Sequence, residues 1–129
     1  MAILIQKLIV AYNEFLADRI HQILRGQRIN YHTKKMMGGL CFMVNNKMCC
    51  GIHYDKKKEM DVLMARIGEE AYKKTILRKH FLPMDFTGRP MRGYVFVTQD
   101  GIDLEEDLVY YIDLCLRFNP LAKSSKKKI

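Results

Sequence analysis

The sequence predicts an α+β domain, a two-layer sandwich of one antiparallel sheet with its helices on one face. Three observations predict it. First, MMGGLCFMVNNKMCCGI (residues 36–52) is two apolar runs joined by Asn45-Asn46. Adjacent asparagines tolerate positive φ at both positions, as a type I′ hairpin turn requires. Second, YVFVT (residues 94–98) is β-branched or aromatic throughout, the composition of a strand. Third, helical spacing alternates with strand runs in the order α-β-β-β-α-β-β-α. Hairpin-linked strands with helices at intervals fold as an antiparallel sheet under a helical layer. At 129 residues the chain is one domain with room for a real core.

Taken in order, residues 1–10 read as an N-terminal extension, residues 11–119 as the domain and residues 120–129 as a lysine-rich disordered tail. Asn13 supplies a helix cap with Glu14 in the first turn. Leu16, Ile20, Ile23 and Leu24 follow at helical spacing, and Gly26 stops the helix, predicted over 13–25. His21 falls on its polar side. Residues 30–35 read as a short connection into the hairpin. With Asn45-Asn46 as the loop, Val44 faces Lys47, Met43 faces Met48, Phe42 faces Cys49 and Cys41 faces Cys50. Gly38-Gly39 at its entry marks a bulge or a close backbone approach. HYDKKKEMD (residues 53–61) reads as a loop or an irregular strand end, and residues 62–67 as a third strand.

Helix two is predicted over 69–79, with Tyr72 and Ile76 inward. Residues 83–87 form a short strand, and Thr87-Gly88-Arg89-Pro90 a turn. The strand at 94–98 ends at Asp100-Gly101. Asp103 and Glu106 then form a capping box for the last helix. Leu104, Leu108, Tyr111, Ile112 and Cys115 share its apolar face, and Asn119-Pro120 stops it.

The formal net charge is +8, and four of the lysines (Lys123, Lys126, Lys127 and Lys128) lie in the last seven residues. Such a tail gives weak, sequence-independent affinity for DNA or RNA at most. Lys34 and Lys35, with residues 56–58, are the other basic candidates. Neither helix-turn-helix spacing nor the aromatic pattern of an RNA-binding sheet is present. No glycine-rich phosphate loop, HExxH motif or paired catalytic carboxylates appear. No apolar run is long enough for a membrane span, and the apolar start lacks the features of a secretory signal. Four cysteines without a C-x-x-C or zinc-finger spacing read as free thiols, which points to a reducing, cytoplasmic setting. Cys41 and Cys50 read as small buried hydrophobes. Cys49 and His53 on the opposite side form at best an incomplete pair for metal or nucleophile chemistry. No metal or cofactor is expected. Arg66, Asp85 and Arg89, with Arg92 near by, are the candidate partner- or ligand-binding residues, because an arginine fork holds a carboxylate or phosphate through two bonds. The alternative at that place is an Asp85–Arg pair that holds the turn.

KKMMGGLCFMVNNKMCCGI, LMARIGEEAY and PMDFTGRPMRGYVFV occur in this order, and together they resemble the N-terminal domain of the TfoX/Sxy family. AYNEFLADRI resembles the start of that domain, so the likeness covers about residues 11–119. Its most specific part is DFTGRPM followed by Gly93-Tyr94. Gly38, Gly39, Phe42, Gly51, Arg66, Tyr72, Asp85, Phe86, Thr87, Gly88, Arg89, Pro90 and Gly93 match the family pattern. The chain departs from it at Met37, usually aromatic, and at Asn46, usually glycine. It also has ten added N-terminal residues and ends after one domain, where the regulators carry a second. The resemblance implies a two-layer fold with an antiparallel sheet, no catalytic role and a cytoplasmic regulator of DNA-uptake competence. It also implies a protein partner, namely a cyclic-AMP-responsive transcription factor. Three readings follow: a non-enzymatic regulatory module acting through a protein partner, a nucleic-acid-binding accessory protein, and a small-ligand or enzymatic domain built on Arg66, Asp85 and Arg89.

Overall fold

The computed structural model describes residues 12–36, 38–75, 81–83 and 92–123. Its elements are α1 (Glu14–Gly26), β1 (Tyr31–Met36), β2 (Gly39–Val44), β3 (Lys47–Asp55), β4 (Met60–Arg66), α2 (Gly68–Thr75), β5 (Phe81–Pro83), β6 (Tyr94–Val97), α3 (Gln99–Ile102) and α4 (Glu105–Phe118). A 3-10 turn over Asn119–Leu121 follows. The strands form one antiparallel sheet in the order β1-β2-β3-β4-β6-β5. The predicted α+β class is therefore the observed one.

The main core lies between the sheet and the helices. Leu16, Ile20 and Leu24 of α1 and Leu108, Tyr111, Ile112 and Cys115 of α4 meet Leu40, Phe42, Ile52, Leu63, Val95 and Val97 of the sheet. Cys41, Met43, Val62, Met64 and Phe96 form a second buried cluster on the opposite face. Apolar side chains on both faces explain why β2 and the middle of β4 read as continuous apolar runs rather than alternating ones. Among the described residues the helices gather on one face.

Local chemistry sets most boundaries. The Asn13 side chain accepts the Leu16 N–H at 3.1 Å and caps α1 as expected. Asn45 and Asn46 have φ of 55° and 59°, so the β2–β3 turn is the predicted I′ type. A Cβ at Gly39 would strike the carbonyl oxygen of Ile52, and one at Gly51 would lie 2.8 Å from that of Leu40. Glycine is thus required where the two strands close.

Several expectations need correction. Residues 30–35 are not a connection: residues 31–36 are the edge strand β1, paired from Tyr31↔Val44 to Met36↔Gly39. Five of its six residues are exposed, so it lacks the apolar period that marks a strand. The hairpin register holds at Val44↔Lys47 and Met43↔Met48, then slips. An irregularity between Phe42 and Met43 sets Phe42 opposite Cys50 and Cys41 opposite Gly51. The charged stretch 53–61 is less loop than expected. β3 runs to Asp55, whose Oδ1 accepts the Lys57 and Lys58 N–H groups in the turn to β4. Asp103 does not cap the last helix. Leu104 takes that position with no side-chain cap, after the extra helical turn α3, and is itself exposed. The fold also continues past residue 119, because Ala122 is buried and the Lys123 carbonyl is bonded. The expected strand residues 84–87, the turn at 87–90, the end of helix two at 76–79 and the tail at 124–129 lie outside the described residues.

Candidate functional site

Arg66 closes β4 opposite Tyr94. Its guanidinium lies 5.3 Å from the centre of the Tyr94 ring and 5.9 Å from that of Phe118, and Nη2 donates to the Lys123 carbonyl at 3.0 Å. A planar cation between two rings with a bonded donor ties the C-terminal segment to the sheet. Arg92 is exposed and lies 3.6 Å from Glu69 at the start of α2. Asp85 and Arg89 lie outside the described residues, so the expected cluster is represented by Arg66 and Arg92 alone.

Among the described residues, Lys34, Lys35 and Lys123 do not converge. Lys34 pairs with Cys41 and Lys35 with Leu40, which places them on opposite faces of β1. Lys123 sits beside Arg66 on β4, three strand positions away in the sheet. Lys126, Lys127 and Lys128 lie outside the described residues.

The thiols are arranged differently from the sequence reading. The slip in β2–β3 brings both Cys49 and Cys50 into the helix-side core, where Cys115 of α4 joins them. His53 is on the other face, stacked on Phe96 at 5.4 Å, so no Cys49–His53 pair exists. Hydrogen bonds accepted from Cys115, then Cys50, pull the Cys49 thiol down to about 4 against its own burial. Contact with Cys49 and complete burial hold Cys50 well above the ordinary thiol range. Burial, then contact with Cys49, does the same to Cys115. The trio is part of the packing. Cys41 stands apart in the second cluster, raised by burial against the pull of Lys34. No group of three or more metal-ligating side chains occurs among the described residues.

Two polar arrangements were missed by sequence reasoning. His21, expected on the surface, is half-buried. Its Nδ1 lies 2.6 Å from the Tyr31 hydroxyl, and its ring stands edge-on to Phe42 at 5.1 Å. Burial, then the nearby Arg25, lowers its pKa and favours the neutral ring, whose tautomer sets which of the two groups donates. Asn119, read only as a helix stop, is 2% exposed and bonded through both the nitrogen and the oxygen of its amide. Its Nδ2 donates to the Val44 carbonyl at 3.0 Å, and its Oδ1 accepts from Asn45 Nδ2 at 2.8 Å. Lys47 Nζ donates to its backbone carbonyl at 3.1 Å. The hairpin turn is thereby fastened to the end of α4.

Between α2 and α4 lies a cleft of about 580 Å³. Ile67, Ala71, Leu114 and Phe118 give it apolar walls, Thr75 and Tyr110 add hydroxyls, and the exposed Lys74 and Arg117 border it. Neither helix shows this cleft in sequence, because each wall residue also reads as an ordinary inward position.

The fold and these sites define a two-layer α+β domain whose conspicuous polar residues mostly hold its own segments together. The TfoX N-terminal domain family matches residues 24–119, three quarters of the chain, and the protein belongs to that family. A search of curated proteins found no match, and neither did a search of solved structures. Among the described residues, no helix is long and apolar enough to cross a membrane.

Proposed function

We propose that this chain is a non-enzymatic regulatory module that acts by binding a protein partner in the cytoplasm. A transcription factor is the first partner class to test, as for the TfoX-type regulators it resembles. What supports this reading is the dispersal, among the described residues, of the cations singled out in sequence. Lys34 and Lys35 point to opposite faces, Arg66 is engaged internally, Arg92 lies beside Glu69 and Lys123 is several strands away from β1. A nucleic-acid-binding surface gathers its cations on one face to follow the phosphates. The burial of the thiol trio supports the non-enzymatic part, since a catalytic thiol needs an accessible thiolate.

The test is capture by the full chain from an extract of the source cell, with and without nuclease. The captured protein is then purified and titrated against the chain at several salt concentrations. The reading expects a one-to-one complex that survives nuclease and loses little affinity between about 50 and 200 mM salt. Capture that disappears with nuclease, or an affinity that falls by roughly 10³-fold or more over that range as many phosphate contacts demand, overturns it in favour of nucleic acid.

A further inference from the structure

The two edges of the sheet differ. β5 forms one edge with three residues and ends in Pro83, which has no N–H to give a further strand. β1 forms the other with six residues, no proline and an unbroken register against β2. Alternate N–H and C=O groups of an edge strand point away from the sheet, so β1 presents a ladder to another extended chain. Among the described residues nothing pairs with that outer edge, and five of the six residues of β1 are exposed.

The charge along this ladder has one sign. Tyr31, Thr33 and Lys35 lie opposite Val44, Phe42 and Leu40 of the main core, on the face towards the helices. His32 and Lys34 lie opposite Met43 and Cys41 of the second cluster, on the other face. Neither lysine makes an ion pair among the described residues. No aspartate or glutamate occurs between Asp18 and Asp55. Because the two lysines project from opposite faces, they do not line one surface for phosphates. A strand laid beside β1 meets both, since its own successive side chains alternate between the same two faces.

Lysines on an edge also guard against pairing with copies of the same chain. A two-fold ladder of β1 with a second β1 gathers Lys34 and Lys35 of both copies in one short ribbon with no carboxylate, and like charges across a ladder repel. An acidic strand turns each of those repulsions into an attraction.

We infer that β1 is the docking edge for the protein partner proposed above, and that the partner adds to the sheet an extended segment with two adjacent acidic residues. In the antiparallel register the first acid faces Lys35 on the helix side and the next faces Lys34 on the other side. An apolar residue before them covers the exposed Met36. Main-chain bonds give the affinity, and the paired charges fix the register. The inference rests on the partner reading and names the segment that makes the contact.

The experiment is an NMR titration of the full chain with the end-blocked peptide Val-Glu-Glu-Val-Thr-Val. The controls are Val-Lys-Lys-Val-Thr-Val and Val-Glu-Glu-Pro-Pro-Val. Successive N–H groups of a strand point to opposite edges, so two adjacent prolines remove one that faces β1. The glutamyl peptide is expected to bind saturably with a Kd below about 1 mM, to shift the amides of residues 31–36 and to slow their exchange. Both controls are expected to bind roughly ten-fold more weakly. Lys34→Glu with Lys35→Glu, at two exposed positions, should reverse the preference in favour of the lysyl peptide with an unchanged melting temperature. Three results overturn the inference: a prolyl peptide that binds as tightly as the glutamyl one, a preference unchanged in the double variant, or an oligothymidylate that binds at residues 31–36 more tightly than the glutamyl peptide. The captured partner separates the two readings. Failure to capture one that survives nuclease ends the partner reading and this inference with it. A captured partner that binds the double variant as tightly as the natural chain ends this inference alone.

Discussion

Replacing Asn119 by alanine removes a clamp that ties the hairpin turn to the end of α4, and the cost can be worked from its bonds. The Val44 carbonyl loses its 3.0 Å donor at a site closed to solvent. That carbonyl keeps the Lys47 N–H that closes the I′ turn, so the loss is the net value of one hydrogen bond, about 0.5–1.5 kcal/mol. Asn45 loses the 2.8 Å bond to Asn119 Oδ1, but Asn45 is exposed and regains water. That loss is the net value of an ordinary hydrogen bond, about 0.5–1.5 kcal/mol. The bond from Lys47 reaches the backbone of residue 119 and survives. The sum is about 1–3 kcal/mol, a fall in melting temperature of roughly 5–10 °C for a chain of this size. Urea denaturation followed by circular dichroism measures it, with the midpoint falling and the slope unchanged. Asn45→Gly keeps the positive φ of the turn and removes only the amide. A cycle with Asn119→Ala should therefore give a coupling of about 0.5–1.5 kcal/mol. A destabilisation below about 0.5 kcal/mol for Asn119→Ala, the usual range of an unconstrained surface change, would refute the clamp.

Arg66→Met keeps an apolar stem against Tyr94 and Phe118 but loses the bond to Lys123. It should destabilise by about 1 kcal/mol and speed amide exchange over residues 119–123; unchanged stability with abolished partner binding would instead place Arg66 in the contact surface. Asp61 is held above its ordinary value of 3.8 mainly by burial, against the Asn13 backbone N–H and His53. The folded state therefore binds this proton more readily than the unfolded one, and its contribution to stability falls as pH rises from 3.8 through the raised pKa. Asp61→Asn should flatten that part of a stability–pH profile, and identical profiles for the two proteins would disprove the assignment.

The features legible in sequence are those that local chemistry decides alone. Asn13 caps α1 whatever packs above it, and the paired asparagines take positive φ because few other residues do so cheaply. Features decided by neighbours were hidden. β1 is a strand because β2 offers it a ladder; its own residues, YHTKKM, are polar on both faces. Past the irregularity between Phe42 and Met43, pairing shifts by one residue relative to a plain hairpin, which puts Cys50 rather than Cys49 opposite Phe42. No residue between 41 and 50 signals that slip, since every alternative register also buries cysteine, methionine and valine.

The candidate site follows the same division, with one link between its legible and hidden parts. Arg66 stood out as a charged residue at a strand end, and Asn119 as a helix stop. Their shared role emerges only when residues 119–123 return to the sheet. Asn45 and Lys47 hold residue 119 from the β2–β3 turn, while Arg66 holds Lys123 from β4. Two strands thus fix the C-terminal end of α4 at two points. Leu114 and Phe118 belong to that end and form one wall of the cleft, and Gly68 leaves room for Phe118 because it has no side chain. The position of the wall is therefore set by the hairpin turn and by Arg66, through polar bonds that a hydrophobic pattern does not encode. A cavity is the space left where two such walls stop short of meeting, and no single residue type among its lining announces it in sequence.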